Sequence, residues 1–294
     1  MKKVLKWIAI IVGGLLLLVV VAAVGLALAG TARLNKTYDV SVASINIPDD
    51  EAALARGEHL TNVFCSDCHG ADLSGQPFFD EPPIGTIYTA NLTGLAETHS
   101  DEELVKAIRH GLDSDGRALM IMPSESFIHF SEADLGAVIA YLKTLPRSGS
   151  ETPEKVYRPL GRILTGLGAF DSSMPATYMD HDQPFPAMPT MDDSVAYGEY
   201  LSRFCQSCHG PDLTGGQTPD PESPPAPNLA ADGSLGGWAE ADFITAIRTG
   251  MTPRGHELNG QFMPWESFGK LSDEELSALW QYLDTLPPRQ TAAE

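Results

Sequence analysis

A five-residue motif with two cysteines and a histidine occurs twice in this chain and constrains its fold more than any other feature. The copies span residues 65–69 and 205–209, and each has the pattern C-x-x-C-H. This pattern is the attachment signature of c-type haem, in which two thiols bond to the vinyl groups and the histidine binds the iron. We expect two covalent haem c groups, held by Cys65, Cys68, His69, Cys205, Cys208 and His209.

Cysteine pairs at this spacing also occur in redox dithiols and zinc sites, and a disulfide between the pairs is a further alternative. None of these explains why a histidine follows each pair, and all four cysteines of the chain fall in the two motifs. A thioredoxin-like dithiol would also need a βαβ context, which the sequence lacks. The sequence therefore favours haem attachment over zinc or a disulfide.

Matching segments surround the two motifs at a nearly constant offset. Residues 107–111 match 246–250, and residues 141–146 match 282–287, at offsets of 139 and 141 residues. Such a repeat predicts two copies of one domain. The predicted organisation is an anchor at 1–36, a first domain at 49–147, an ordered linker at 148–193 and a second domain at 194–288.

The periodicity within each copy predicts helices and an all-α fold. Ser100 and Ser131 stand where helix caps are expected, and Gly111 stands where a helix should end. A further helix is predicted at about 52–62, leading into the first motif. The helix-crossing residues Tyr141 and Tyr282 are expected to lie over Gly57 and Gly198.

The remaining segments of the chain are expected to have less regular structure. We predict an extended tether at 37–48 and, from its Gly, Pro and Asp content, a loop around the haem at 70–88. In the linker, residues 158–167 are expected to form a short helix docked on a domain, and the linker as a whole is expected to pack across both domains.

The second axial position of each iron has a repeated candidate. Met122 lies 53 residues after His69, Met263 lies 54 residues after His209, and a proline follows each methionine. A thioether ligand opposite histidine is typical of electron carriers, because it raises the reduction potential. Bis-histidine ligation is the alternative, although the six remaining histidines are not repeated; they are His59, His99, His110, His129, His181 and His256.

Arg109 and Arg248 occupy equivalent positions in the two copies. Because a guanidinium group matches a carboxylate, both arginines are candidates to pair with haem propionates. The alternative is that each simply lies on a solvated helix face.

The N-terminus predicts a membrane segment. Lys2, Lys3 and Lys6 precede a charge-free run from Trp7 to Ala32. This run exceeds the roughly 20 residues that span a bilayer, and the lysines favour a cytoplasmic N-terminus. An uncleaved single-pass anchor is favoured over a signal peptide, whose apolar core is shorter. The rest of the chain would then lie on the periplasmic side of a bacterial cell membrane.

The formal net charge of −20 argues against nucleic acid as a partner, since its phosphates would be repelled. An acidic surface fits either association with a basic patch on a redox protein or simple solubility.

With these features, each copy resembles the class I cytochrome c family. The resemblance depends on a helix leading into C-x-x-C-H, a later Met-Pro, and a closing helix with Tyr-Leu at 141–142 or 282–283. It implies small all-helical domains with crossing terminal helices and His/Met haem. Residues 68–75 and 208–215 are also similar to cytochrome subunits of membrane-associated dehydrogenases.

The expected function is therefore relay of single electrons by a membrane-anchored dihaem cytochrome in a respiratory chain, and not catalysis. Its partners would be redox proteins, either a dehydrogenase or a terminal oxidase. The alternatives are a dihaem peroxidase-type oxidoreductase, which would need an openable iron, and a tandem cytochrome subunit of a terminal oxidase.

Overall fold

The computed structural model describes residues 2–218, 223–230 and 232–288, so Met1 and parts of the predicted second domain lie outside the described residues. Its helices are, in chain order, α1 Lys2–Leu34, α2 Glu51–Phe64, α3 Ser66–His69, α4 Leu95–Thr98, α5 Asp101–His110, α6 Ser124–Phe127, α7 Glu132–Thr144, α8 Pro159–Gly166, α9 Ser194–Ser202, α10 Gln206–His209, α11 Glu240–Thr249, α12 Trp265–Phe268 and α13 Asp273–Thr285. Its strands are β1 Pro77–Glu81, β2 Gly85–Tyr88 and β3 Val156–Tyr157. The prediction of an all-α fold is confirmed to the extent that the chain is mostly helical, with only a small sheet.

Helix α1 is long and apolar enough to cross a membrane, judged by length and composition. Its 33 residues correspond to about 50 Å at the helical rise per residue. The large apolar side chains between Val4 and Val24 are exposed. These properties fit the predicted anchor, and a signal sequence would share them, so anchoring stays a prediction.

The helix boundaries follow the capping residues. Ser100 and Glu103 form a capping box at the start of α5, and Ser131 accepts a hydrogen bond from the backbone N–H of Asp134 at the start of α7. Gly111 ends α5 with φ of 64°, a conformation that glycine adopts without steric cost. The helix predicted at 52–62 is α2, which extends one residue earlier and two later.

The terminal helices of each domain cross at a glycine. A Cβ added at Gly57 of α2 would lie 2.0 Å from the carbonyl oxygen of Ala137 and 2.9 Å from the Cβ of Tyr141. In the second domain, a Cβ at Gly198 would lie 2.0 Å from the carbonyl oxygen of Ala278. The predicted crossings over Gly57 and Gly198 are confirmed, and they bring the helix before each motif against the closing helix.

Replacing Gly198 with alanine should destabilise the second domain, because the new methyl group would overlap a backbone carbonyl that cannot move without separating α9 from α13. We expect a loss of about 2–3 kcal/mol in unfolding free energy, measured by urea titration. Gly260→Ala is the control, since its Cβ would meet only the Trp265 indole nitrogen at 3.6 Å. Equal stability of the two variants would contradict close packing at this crossing.

The prediction of a loop at 70–88 is wrong for the second half of that segment, because β1 and β2 form an antiparallel hairpin there. Strand β3, from the linker, adds to β2 and makes a three-stranded sheet. The hairpin was missed because its residues lack an alternating apolar pattern, and its strand partner lies about 70 residues away in the linker.

The predicted tether at 37–48 is extended but is held on the first domain. The backbone N–H of Tyr38 donates to the carbonyl oxygen of Gly116 at 2.8 Å. Val42, Ile45 and Ile47 pack against the apolar core of that domain. The segment between α1 and α2 is therefore part of the packed structure.

The linker also packs against the first domain and lines a cleft between the two domains. Phe185 joins the apolar core of the first domain, Ser131 of that domain donates to the sulfur of Met188, and Met191 lines a cleft with Arg56 and Tyr197 from both domains. The predicted short helix is α8, which lies on the hairpin of the first domain and also on α1, a contact the sequence did not predict.

Candidate haem centres

The last four residues of each C-x-x-C-H motif form a short helical turn, which follows α2 in the first domain and a 3-10 turn, Arg203–Cys205, after α9 in the second. The backbone N–H of Cys65 caps α2 by donating to the carbonyl oxygen of Thr61, and α3 then carries the motif to His69. None of the four cysteines forms a disulfide, and each has intermediate exposure. Burial raises the pKa of Cys65 and of Cys205 to about 12.

The two histidines are buried and oriented by the same kind of contact. His69 is 9% exposed and His209 is 6% exposed. Nδ1 of His69 lies 2.7 Å from the carbonyl oxygen of Ala90, and Nδ1 of His209 lies 2.9 Å from that of Pro227. A carbonyl oxygen only accepts, so each Nδ1 carries the proton and each Nε2 has a lone pair for a metal. Burial lowers the pKa of both histidines, which favours this neutral form.

The loop after each motif has the same unusual backbone. Gly70 and Gly210 adopt positive φ, and so do the buried leucines Leu73 and Leu213, at 59° and 55°. A left-handed leucine is sterically costly and persists only where the surrounding structure imposes it. Residues 68–75 and 208–215 are similar in sequence, but that similarity gave no sign that the leucines share the left-handed conformation of the glycines.

The two predicted methionine ligands lie in the cores that contain the motif cysteines. Met122 and Cys65 pack against the core of the first domain, and Met263 and Cys205 pack against the core of the second. The carbonyl oxygen of each methionine accepts a hydrogen bond from the residue two positions later, which starts α6 or α12. Axial ligation by Met122 and Met263 stays a prediction that this placement supports.

Arg109 and Arg248 have equivalent protein partners. Nη1 of Arg109 donates to the carbonyl oxygen of Ile128 at 2.6 Å, and Arg248 makes the matching contact with the carbonyl oxygen of Gly269. Arg109 is 3% exposed and stacks on Phe185, so it is not on the solvated face that the sequence left open. Both arginines hold the turn after the Met-Pro pair, and pairing with propionates stays a prediction.

Two of the alternative histidines have protein partners at Nε2. Nε2 of His59 lies 2.6 Å from a carboxylate oxygen of Glu275, and Nε2 of His181 lies 3.0 Å from the carbonyl oxygen of Ala176. With Nε2 engaged in this way, His59 and His181 are weaker candidates for iron ligands than the methionines.

The donor set fits covalent haem c. Each domain provides two free thiols separated by two residues, an adjacent neutral imidazole with a free Nε2, and a thioether in the same core. Nitrogen and sulfur ligands of this kind suit haem iron. Among the described residues, no group of three or more His, Cys, Asp or Glu side chains is arranged to hold a metal ion.

The two domains meet through the residues that precede their motifs. Phe64 and Phe204 stand immediately before Cys65 and Cys205, and their ring centroids lie 4.3 Å apart. Phe204 belongs to the core of the first domain, while Val63 belongs to the core of the second. The cores thus exchange residues across the interface, and the motifs lie on either side of the phenylalanine pair.

A buried polar cluster accompanies this contact; we call it the interdomain cluster, and it comprises Arg56, His59, Asp134, Tyr197, Tyr200 and Glu275. Arg56 makes two hydrogen bonds with Asp134, at 2.9 and 3.0 Å, and a third with Glu275 at 2.6 Å. Tyr200 of the second domain donates to Asp134 of the first at 2.7 Å. Burial would lower the pKa of Arg56, but the hydrogen bond and charge of Asp134 raise it instead. No sequence pattern indicated this cluster, because its members come from four separate helices.

Acidification should weaken the contact between the domains. Burial would raise the pKa of Glu275, but hydrogen bonds from His59, Ser272 and Arg56 outweigh it and lower the pKa from 4.5 to about 2. Because the pKa of Glu275 is lower in the folded state than in the unfolded state, the contribution of this carboxylate to stability is complete above pH 4.5. It is lost as the pH falls towards 2. We expect this loss to be roughly 2–3 kcal/mol, and Glu275→Gln should remove that part of the pH dependence in urea unfolding. If the Glu275→Gln variant showed the same pH dependence of stability as the wild-type protein, Glu275 would not be the group that causes the loss.

Comparison with known proteins places these features in a family. The family model described as "Cytochrome c" matches residues 54–146 and again residues 195–287, together more than half of the chain. Each match contains one C-x-x-C-H motif and one of the Met-Pro pairs.

Several curated proteins are similar to the chain over most of its length. The alcohol dehydrogenase (quinone) cytochrome c subunit of Gluconacetobacter polyoxogenes is 29% identical over 87% of this chain and 62% of its own length. The gluconate 2-dehydrogenase cytochrome c subunit of Pantoea cypripedii is 28% identical over 81% of this chain and 60% of its own. The fructose dehydrogenase cytochrome subunit of Gluconobacter japonicus is 26% identical over 92% and 59%.

The chain spans about three fifths of the length of these relatives. Within that span, the twofold family match agrees with the two motifs, the two oriented histidines and the paired cores. The chain belongs to the cytochrome c family, with two cytochrome c domains in tandem and two covalently bound haem c groups.

Proposed function

We propose that the chain is a membrane-anchored dihaem electron carrier that accepts electrons from a membrane-associated dehydrogenase and passes them on singly. It is not itself the enzyme that oxidises the substrate. Its haem domains are proposed to lie on the periplasmic side of a bacterial membrane, held by α1 as a single-pass anchor.

The observation that carries this proposal is the contact between Phe64 and Phe204. Each phenylalanine is covalently adjacent to a haem-attaching cysteine, and the rings lie 4.3 Å apart. A relay between two haems needs a short and constant separation. The exchanged core residues and the interdomain cluster hold the two domains together, which supports a relay between their haems.

The chemistry of the protein groups also supports electron transfer. Bound haem supplies a couple that changes by one electron. The carbonyl oxygens of Ala90 and Pro227 keep His69 and His209 in one tautomer and one orientation. Met122 and Met263, which pack against the two cores, are proposed to hold the iron together with His69 and His209. If they bind it, they would leave no position on the iron for a substrate.

The donor is proposed from the relatives, which are named as cytochrome subunits of alcohol, gluconate and fructose dehydrogenases. The chain has a net charge of −20, which suits docking on a basic surface of a partner. An anchor keeps the carrier near membrane-bound partners.

Gentle detergent extraction of the native chain, followed by identification of co-purifying proteins, tests the partner. We expect a dehydrogenase catalytic subunit to be recovered with two covalent haems per chain. Terminal oxidase subunits in its place would contradict the dehydrogenase assignment and favour the oxidase alternative. Recovery of the chain alone would contradict a stable complex of either kind.

Replacing Met263 with alanine should open the second iron to external ligands. The reduced wild-type protein should bind little carbon monoxide, whereas about half of the haem in the variant should bind it, because one of two sites is opened. The reduction potential of that haem should fall when the thioether is lost. Absorption spectra of the reduced protein with and without carbon monoxide measure the first effect, and a redox titration measures the second.

Met251→Ala is the matched control, since Met251 belongs to the same domain and is 41% exposed. This variant should have the wild-type spectrum. Rapid carbon monoxide binding by the wild-type protein would instead favour a peroxidase-type centre with an open iron.

A further inference from the structure

Helix α8 is held on two sides by close backbone contacts. A Cβ added at Gly166 would lie 2.1 Å from the carbonyl oxygen of Leu26, and one at Gly30 of α1 would lie 1.8 Å from that of Arg162. On the other side, a Cβ at Gly161 would lie 2.2 Å from the carbonyl oxygen of Ile84 in the hairpin. Small residues therefore let α8 fit between α1 and the first haem domain.

The apolar side chains of α8 lie on the helix face that is turned away from Gly161 and Gly166. Leu160, Ile163, Leu164 and Leu167 are spaced at i, i+3, i+4 and i+7, which places them along one stripe of a helix. Leu160 is 41% exposed and Leu167 is 62% exposed, whereas Gly161 and Thr165 on the packed face are buried. In a water-soluble protein the apolar stripe of a helix normally faces the core. Here Leu160 and Leu167, at the two ends of the stripe, face outward and Ile163 and Leu164 between them are half-buried, although the helix is fixed in place.

The position of α8 along α1 matches the edge of a bilayer. The covered residues of α1 are Ala23, Leu26, Ala27, Gly30, Thr31 and Leu34, a helical stripe confined to its last third. Leu26 follows Trp7, the first residue of the charge-free run, by 19 residues, or about 28 Å of helix. The hydrocarbon core of a bilayer is about 30 Å thick. If the run enters the membrane at Trp7, the hydrocarbon ends near Leu26, where the Gly166 end of α8 lies. Because Arg162 meets Gly30, four residues further along α1, α8 runs antiparallel to α1 and its other end lies outward, at the level of the headgroups.

The charge of this segment differs from that of the whole chain. Residues 155–168 contain Lys155, Arg158 and Arg162 and no carboxylate, in a chain with a net charge of −20. Arg158 and Arg162 are exposed. Each arginine is two residues from Leu160, so both lie on the helix face opposite the apolar stripe. One basic face and one apolar face are typical of helices that bind the headgroup region of anionic membranes.

From these observations we infer that α8 is an interfacial membrane helix. Its apolar stripe lies in the headgroup and acyl boundary of the leaflet that α1 leaves, and its arginines contact anionic phospholipid headgroups. This inference rests on the proposed membrane anchor and adds a second contact with the same bilayer. Because α8 is packed on both α1 and the hairpin, it fixes the tilt of the first haem domain relative to the membrane.

Photolabelling of the full haem-loaded chain tests the inference. The protein is reconstituted in phosphatidylethanolamine and phosphatidylglycerol vesicles containing a phospholipid with a diazirine near the start of its acyl chain. After irradiation, we expect lipid adducts on peptides from α1 and on the peptide covering 155–168, and none on peptides from α9 or α13. Adducts on α1 without adducts on 155–168 would overturn the inference and leave the anchor intact. An absence of adducts on α1 would overturn the anchor and the inference together.

A pair of variants separates lipid contact from simple proximity to α1. Leu160→Gln combined with Leu167→Gln should lower adduct formation on the 155–168 peptide several-fold while labelling of α1 is unchanged. The control combines Val195→Gln with Met251→Gln, which alters two apolar side chains of the second domain with exposures of 40% and 41%. This control should keep full labelling of 155–168. Full labelling in the Leu160 and Leu167 variant would overturn the inference.

Discussion

Replacing Cys205 and Cys208 with serine should lower the covalent haem content from two groups per chain to one. Serine hydroxyls do not add to haem vinyl groups, and His209 alone would hold haem only reversibly. Haem content measured after denaturing extraction, together with a redox titration that resolves one couple in place of two, checks this result. Because Cys205 packs in the core of the second domain, that domain should also lose stability.

The reciprocal variant with serines at Cys65 and Cys68 is the matched control. It should also retain one covalent haem, and the spectrum of the remaining group should correspond to the second domain. Retention of two covalent haems by either variant would contradict the assignment of one haem to each motif. A loss of both haems from a single pair of substitutions would show that attachment in one domain depends on the other.

Replacing Arg56 with methionine should destabilise the chain by about 3–5 kcal/mol. The substitution keeps an unbranched apolar side chain but leaves two carboxylates without the guanidinium group, and the side chains of Asp134 and Glu275 are only 2% and 4% exposed. Since these carboxylates belong to different domains, the interface should weaken before either haem domain unfolds. Urea unfolding monitored separately by the haem spectrum and by tryptophan fluorescence measures the loss.

Lys143→Met provides the comparison. Lys143 pairs with Asp101 across the first domain, but the two side chains are 30% and 47% exposed. Exposed pairs contribute roughly 0–1 kcal/mol. An Arg56 variant as stable as the Lys143 variant would contradict the role given to the interdomain cluster.

Local sequence patterns predicted the helical part of this structure well. The caps at Ser100 and Ser131 and the end of α5 at Gly111 were predicted, because capping depends on residues within one turn. The crossings at Gly57 and Gly198 were also predicted, because each copy of the repeat has a glycine in the helix before the motif and a tyrosine in the closing helix at equivalent positions.

Features that depend on distant segments were missed. The hairpin gains a strand from the linker, and α8 packs on α1 as well as on a domain. Phe64 and Phe204 look like ordinary core residues in the sequence, since nothing local shows that each one packs in the other domain. Arg109 and Arg248 were recognised as equivalent, but their carbonyl partners lie about 20 residues away and cannot be identified from spacing.

The exchange of core residues between the domains has a consequence for how such a chain can change during evolution. Removing either domain would expose Val63 and Phe64, or Phe204, as an apolar surface on the one that remains. A chain that arose by duplication could therefore not return to a single domain by one deletion without becoming prone to aggregate. We therefore expect the two domains to be kept or lost together. A substitution of Phe64 has to remain compatible with the packing of Phe204, and the reverse also holds.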